Sequence, residues 1–388
     1  MPGRDYRHGP CALPEGGARF RLWAPAQEKI DLMLHGMPLP MEPGEGGWHV
    51  LEVPGIAPGT RYGFRLENGR VVPDPASRSQ PDNVHGLSQW IDTGAFRFVA
   101  DWQGRRWQEM VLYEMHVGTF TPQGTFLAAI DKLDHLAGLG VTGLQIMPLA
   151  DFPGARNWGY DGVYPFAPDA SYGKPEDFAR LVDAAHARGI AVLLDVVYNH
   201  FGPDGNYLSQ YAPQFFSEHH RTAWGAGINF DGADGRAVRE FFIENALFWL
   251  GEYRLDGLRL DAVHAIEDDS DPHLLTEIAA RVRATFTDRP VHLVLENEDN
   301  EAHHLERGSA LPGGFTAQWN DDIHHVLHVA ATRENAAYYE EYLDDARLTA
   351  RAIAEGFAFQ GEVMRARGRP RGESSAHLPP TAFVAFIQ

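Results

Sequence analysis

From about residue 110 onward the chain repeats one phrase: a short continuous apolar run, a longer segment of helical periodicity, then another apolar run. The runs are Met110–His116, Val141–Met147, Ile190–Val197, Leu255–Asp261, Val291–Glu296, Phe315–Trp319 and Thr381–Ile387. Between them lie the helical patterns Phe126–Leu139, Pro175–Arg188, Asp234–Tyr253 and Pro272–Phe286. Continuous Val, Leu and Ile suit strands covered on both faces, and alternation with helices implies parallel pairing. The fold class is therefore α/β, either doubly wound or a (β/α)8-type barrel. Seven strands are expected after residue 110, with the sequence stopping on the seventh, so a barrel would lack its last strand and helices.

A different texture precedes it. From about 16 to 98 the runs are short and alternating, as in Ala18–Trp23, Ile30–Leu34, Trp48–Val53 and Tyr62–Leu66, with Pro and Gly clusters between them. That pattern predicts a small antiparallel β-sandwich over residues 1–100, ahead of the barrel over 101–388. The proline-rich stretch Pro73–Asp82 reads as an ordered linker or a loop lying on the next domain.

Composition narrows the partners. Lys and Arg number 33 against 53 Asp and Glu, a net charge of −20, which argues against a nucleic-acid backbone and against an anionic membrane surface. Cys11 is the only cysteine, so no intramolecular disulfide forms and a reducing compartment fits best. The N-terminal stretch has no apolar core of signal-peptide length, and no run of about 18 apolar residues occurs. A cytoplasmic location is expected.

Three acidic residues each end an apolar run: Asp195, Asp261 and Glu296. In a barrel the C-terminal strand ends share one face, where active sites lie. Asp261 and Glu296 are separated by one strand–helix–strand unit, so they should stand side by side. Two facing carboxyls suit glycoside hydrolysis, one attacking the anomeric carbon and the other protonating the leaving oxygen. Arg259, two residues before Asp261 on the same strand face, would keep that carboxylate ionised. Glu296 would need the opposite, a raised pKa. Glu298 could compete for the acid role, but Glu296 follows the apolar run directly.

Asp195-Val-Val-Tyr-Asn-His200, Gly257-Leu-Arg-Leu-Asp-Ala-Val263 and Leu295-Glu296 resemble three of the four signature regions of the α-amylase superfamily, glycoside hydrolase family 13. The resemblance implies Asp261 as nucleophile, Glu296 as general acid/base and Arg259 as partner of the nucleophile. It also implies that Asp195 supports the site, that His200 contacts the sugar being cleaved, and that Tyr160 of Trp158-Gly-Tyr-Asp161 stacks on it. The family's fourth region, a His-Asp pair after the seventh strand, does not occur in the sequence, although Thr381–Gln388 resembles the run into it.

Gly17-Ala-Arg-Phe-Arg-Leu-Trp-Ala-Pro25 is similar to the family-48-type sandwich that precedes branching and debranching enzymes. Pro73–Gly86, Tyr113–Phe120 and Trp319–His325 resemble the trehalose-releasing members of the family. They imply retaining hydrolysis of the α-1,4 bond next to the trehalose end of malto-oligosyltrehalose. His264, Trp319, Asp321, Asp322, His324 and His325 join the expected substrate contacts. An α-1,4-glucan branching or debranching enzyme, or a silent α-glucan-binding fragment, are the alternatives.

No cofactor or metal is expected. No glycine-rich phosphate loop follows a strand. Adjacent histidines at His219-His220 and His303-His304 should point to different faces of a regular element. The basic run Arg365–Arg371 reads as a solvated loop, and Trp23 and Trp48 as core. In the insertion, Tyr207, Tyr211, Phe215, Phe216 and Trp224 are candidates for a wall of a glucan cleft.

Overall fold

A computed structural model describes residues 6–306 and 314–386. Ile387, the end of the last expected strand, lies outside the described residues. All seven apolar runs enter one seven-stranded parallel sheet, in sequence order. The strands are shorter than the runs: Leu112–Met115, Gly143–Ile146, Ala191–Val196, Gly257–Leu260, His292–Glu296, Ala317–Trp319 and Phe383–Val384. Every residue of the third and fourth strands is buried, as double-sided cover requires. The sheet is of the TIM-barrel type. Among the described residues its first and seventh strands lack an outer partner. A groove of about 870 Å³ lies between them, lined among others by Tyr113, Glu114, Gln145, Trp319 and Phe383.

Register fixes the top of the sheet. Asp195 lies opposite Arg259, and Leu260 opposite Leu295. Asp261 and Glu296, one residue further along, therefore leave their strands at one level. Gly257 starts the fourth strand because a Cβ there would stand 2.3 Å from the His292 carbonyl oxygen.

The helices match their periodicity with one exception. Phe126–Leu139 divides into Phe126–Ile130 and Leu133–Gly138, because the Lys132 N–H bonds to Ala129 three residues back and tightens the turn. Helix Gly235–Glu252 is buried on nearly all sides. Asn245 and Trp249 donate to the Pro165 carbonyl, while Glu244 accepts from the backbone N–H groups of Arg7 and His8. Polar positions of a helix enclosed all round are thus satisfied by the chain that encloses it.

The N-terminal part forms antiparallel sheets of four and five strands. Gly17–Trp23 pairs with Trp48–Pro54 along its whole length, and Phe20 meets Tyr62 of the other sheet at 4.8 Å between ring centroids. Gly17 opens this pairing with φ 101°, and a Cβ there would lie 2.3 Å from the Val53 carbonyl oxygen. Trp23 is buried and Trp48 half-buried. The proline-rich stretch is ordered: Asp74, Ser77, Arg78, Ser79 and Gln80 are buried, and the Arg78 guanidinium lies over Phe248 of the enclosed helix at 5.2 Å.

The basic run departs from its expectation. Glu362–Met364 and Arg369–Arg371 form an antiparallel hairpin, and its arginines grip the loop after the fifth strand. Glu298, Asp299 and Asp322 draw Arg367 and Arg371 out of solvent, while Arg369 stays exposed. No helix among the described residues is long and apolar enough to cross a membrane.

Asp256, just ahead of the fourth strand, is fully buried. It accepts from His186 Nε2 at 2.8 Å, Val192 N at 2.8 Å and Trp102 Nε1 at 2.7 Å, tying the preceding connection and helix Pro175–His186 to the lower end of the sheet. Replacing it by alanine strands these groups without a partner. Asp256→Ala is expected to lower unfolding stability by about 3–5 kcal/mol, seen as a lower urea midpoint at unchanged m-value; a midpoint shift under a fifth of that would refute the role.

Candidate active site

Arg259 is the centre of the cluster at the upper sheet face. Its Nη1 bonds Asp195 Oδ2 at 2.8 Å and Asp261 Oδ1 at 2.8 Å, and its Nη2 lies 3.3 Å from Glu296 Oε2. The guanidinium plane lies over the Trp319 ring at 5.2 Å, a desolvated cation–π contact. Asp195 and Arg259 are buried, while Asp261 and Glu296 keep partial exposure.

Three carboxyls share one guanidinium, so full ionisation would leave net negative charge in a dry place. Burial pushes the Asp195 carboxyl well up against the pull of Arg259. Burial likewise raises Glu296; Arg259 opposes that rise and the Asp261 charge adds to it. Asp195 Oδ2 also accepts from the Tyr160 hydroxyl at 3.1 Å, and its Oδ1 has no partner.

Asn199 donates from Nδ2 to the Asp261 carbonyl at 2.8 Å and to Asp261 Oδ2 at 3.1 Å. Both Asp261 oxygens are thereby held, by Arg259 on one side and Asn199 on the other. Ala262 is left-handed at φ 40°, an uncommon conformation for a residue with a Cβ. This turn aims its N–H at Glu296 Oε2, 2.7 Å away. Strain at this one residue fixes the acid relative to the neighbouring strand.

The other expected positions divide. His200 is bonded to the Asn199 side chain, and burial lowers its pKa. Its ring is stacked on Trp224 at 4.6 Å, 12° between planes. His264 Nδ1 accepts from the Glu298 N–H at 3.4 Å. Asp321 opens helix Asp321–Thr332, and burial together with the Glu296 charge raises it to about 7. Asp322 turns the other way. It is fully buried, and Arg371, Tyr342, Asn300 and the Ala358 and Phe359 N–H groups occupy both oxygens. His324 stacks on Phe386 and His325 packs against Tyr338, Tyr339 and Tyr342, so neither joins the Arg259 cluster. Burial lowers His325 to about 4.

Of the insertion aromatics, Tyr211 and Phe215 are buried in the core, Tyr207 bonds His85 at 2.7 Å and Phe216 is half-buried. Only Trp224 is substantially exposed, at 55%. Glu298 is held by Arg367 and Glu296 is not, which separates the two acids by partner. The rings of His303 and His304 do not diverge: they lie 4.1 Å apart on a 3₁₀ turn.

Sequence reasoning assigned no role to Glu114, Gln145 and Asn199. Glu114 accepts from Gln145 Nε2 at 3.2 Å, and Gln145 Oε1 accepts from Trp319 Nε1 at 3.1 Å, which supports the ring under Arg259. Burial raises Glu114. The available signal was an acid and a glutamine inside otherwise apolar strand runs.

A parallel barrel-type sheet with acids and an arginine converging at its C-terminal edge presents the paired carboxyls that glycoside hydrolysis would use. Residues 71–224 match the family model for the α-amylase catalytic domain. Over these residues the chain is similar to the α-amylase catalytic domain, the likeness that its signature regions led one to expect. Its sequence is 43% identical over 386 residues to the malto-oligosyltrehalose trehalohydrolase of Deinococcus radiodurans, covering 98% of this chain and 62% of that protein. It is 40% identical to the malto-oligosyltrehalose trehalohydrolase of Saccharolobus solfataricus over 97% of this chain and 66% of that one. A crystal structure of an alpha amylase-type protein from Salmonella typhimurium superimposes with a TM-score of 0.96 at 50% identity, covering 99% of this chain and 66% of that one. The chain thus spans somewhat under two thirds of the length of these relatives.

Asp261→Asn removes a charge that raises Glu296. Glu296 is expected to titrate at lower pH in that variant than in the wild type, followed by carboxyl carbon NMR. An unchanged or higher midpoint would show that burial alone sets it.

Proposed function

We propose that the chain carries the site of a retaining α-glycosidase that cleaves the α-1,4 bond next to the trehalose end of malto-oligosyltrehalose and releases trehalose. The observation that supports this most is a single guanidinium spanning Asp261 and Glu296 at the ends of adjacent strands. On this reading Asp261 attacks the anomeric carbon while Glu296 protonates the departing glycosidic oxygen, leaving a glycosyl-enzyme ester. Glu296, now a carboxylate, takes a proton from water, which displaces Asp261 and restores both groups. Arg259 holds one oxygen of Asp261 and Asn199 the other. The upward shift of Glu296 favours the protonated form that the first step needs.

Asp195, with its unpartnered oxygen, and Tyr160 and His200 beside it would contact the sugar in the cleavage position. His264, Asp321, Trp319 and Trp224 would line the approach. The reading divides the chain near residue 100 into an N-terminal carbohydrate-binding-like β-sandwich and the catalytic barrel; the change from antiparallel to parallel pairing supports that division. It also places the protein in trehalose formation in the cytoplasm, with the single cysteine in favour.

The lack of an outer partner for the first and seventh strands among the described residues favours a second reading, α-glucan binding without turnover. Incubation with malto-oligosyltrehalose separates the two. Trehalose release is expected, with kcat falling about 10²–10⁴-fold in Glu296→Gln and at least as far in Asp261→Asn. Release that survives both substitutions sinks the assignment. Binding with no release supports the second reading, and new or lost α-1,6 branches indicate a branching or debranching enzyme.

A further inference from the structure

The loop that follows Glu296 holds a second cluster, which the glycosidase reading does not use. One ring nitrogen each of His303 and His304 and one Glu301 oxygen all lie within 4.8 Å of one another. Glu301 Oε2 is 3.7 Å from His304 Nε2, and it accepts from Asn297 Nδ2 at 3.0 Å. His303 Nδ1 stands 3.0 Å from Glu373 Oε2, and its backbone N–H donates to that same oxygen at 2.9 Å. Two imidazoles and a carboxylate converge, a second carboxylate orients one imidazole, and an amide orients the carboxylate. Such outer contacts commonly set tautomer and direction in metal sites.

The geometry points to a divalent transition-metal site formed by Glu301, His303 and His304, with Glu373 orienting His303. Two imidazole nitrogens with one carboxylate select a borderline-soft ion such as Zn²⁺ over Mg²⁺ or Ca²⁺. Zn²⁺ binds such ligands at about 2.0–2.2 Å, so the three must close by a small rotation. His303, Glu301 and Glu373 are free to make it, with side chains 52%, 42% and 45% exposed.

The other group of this kind is weaker. It unites His220, Asp231 and Asp269, but it offers one imidazole, whose Nε2 is already bonded to Asp231 at 2.7 Å. It serves as the control. Occupancy of the first site would pin the loop between Asn297 and His304 to Glu373, beyond the hairpin that grips Glu298 and Asp299. The ion would be structural, acting on the loop that carries Glu296 and not on the reacting bond.

The test is isothermal titration of the chelator-stripped, full 388-residue chain with Zn²⁺, together with thermal unfolding with and without the ion. One-to-one binding and a raised unfolding temperature are expected with Zn²⁺, and neither with Mg²⁺. Binding should vanish in His303→Ala and His304→Ala and weaken about 10–100-fold in Glu373→Gln. It should persist in His220→Ala. Metal-free unfolding temperatures matching the wild type would show that the variants fold. The proposal is overturned if the wild type takes up no Zn²⁺, if Mg²⁺ binds equally well, if binding survives loss of either histidine of the pair, or if it disappears in His220→Ala.

Discussion

Arg259 decides how the upper half of the sheet can be charged. A buried guanidinium costs several kcal/mol to desolvate, so it persists only where anions meet it at close range. Here three carboxyls do so from three adjacent strands, and no strand could slip by one residue without breaking the set. The same sharing prevents all three acids from behaving alike. Asp195 is sealed in and pushed toward its protonated form; Glu296 is raised but reaches solvent; Asp261 has both oxygens held by donors. The upward shifts of Asp195 and Glu296 follow from burial and neighbouring charge, without any special residue type.

That cluster needs a rigid floor. Asp256 supplies one at the opposite end of the fourth strand, where it binds His186, Trp102 and the third strand. The strand carrying Arg259 and leading into Asp261 is thus pinned at both ends by charged groups and buried along its length. Helix Gly235–Glu252, held by the N-terminal segment through Glu244, backs it from outside. The antiparallel sheets therefore bear on the site indirectly, through the helix that Arg78 and His8 help to enclose.

The parallel sheet was legible because seven apolar runs separated by helical periodicity admit few other arrangements. Asp195, Arg259, Asp261 and Glu296 were legible because strand period and strand order alone bring them together. Asp322, His324 and His325 were misleading for the converse reason. They follow Asp321 on one helix, and helical period turns successive residues to different sides. Asp322 ends in a buried set with Arg371 and Tyr342, both distant in sequence. Nothing in the run Arg365–Arg371 announces that it folds back onto residues 298 and 299, since such pairing depends on tertiary approach. The histidine pair failed for a local reason: the argument from diverging faces holds for strands and helices, and His303 and His304 lie on a short 3₁₀ turn.

The Arg hairpin also explains how one loop can hold Glu296, Glu298 and Asp299 without confusing their chemistry. Arg367 and Arg369 pair with Glu298 and Asp299 near the surface. Arg371 then draws the hairpin inward by bonding the Glu298 carbonyl at 2.6 Å. Glu296 alone of the three faces Arg259 and the Asp261 charge. Its oxygen is fixed by the Ala262 N–H, while the hairpin holds the other two acids, so the turn and the hairpin divide them by partner.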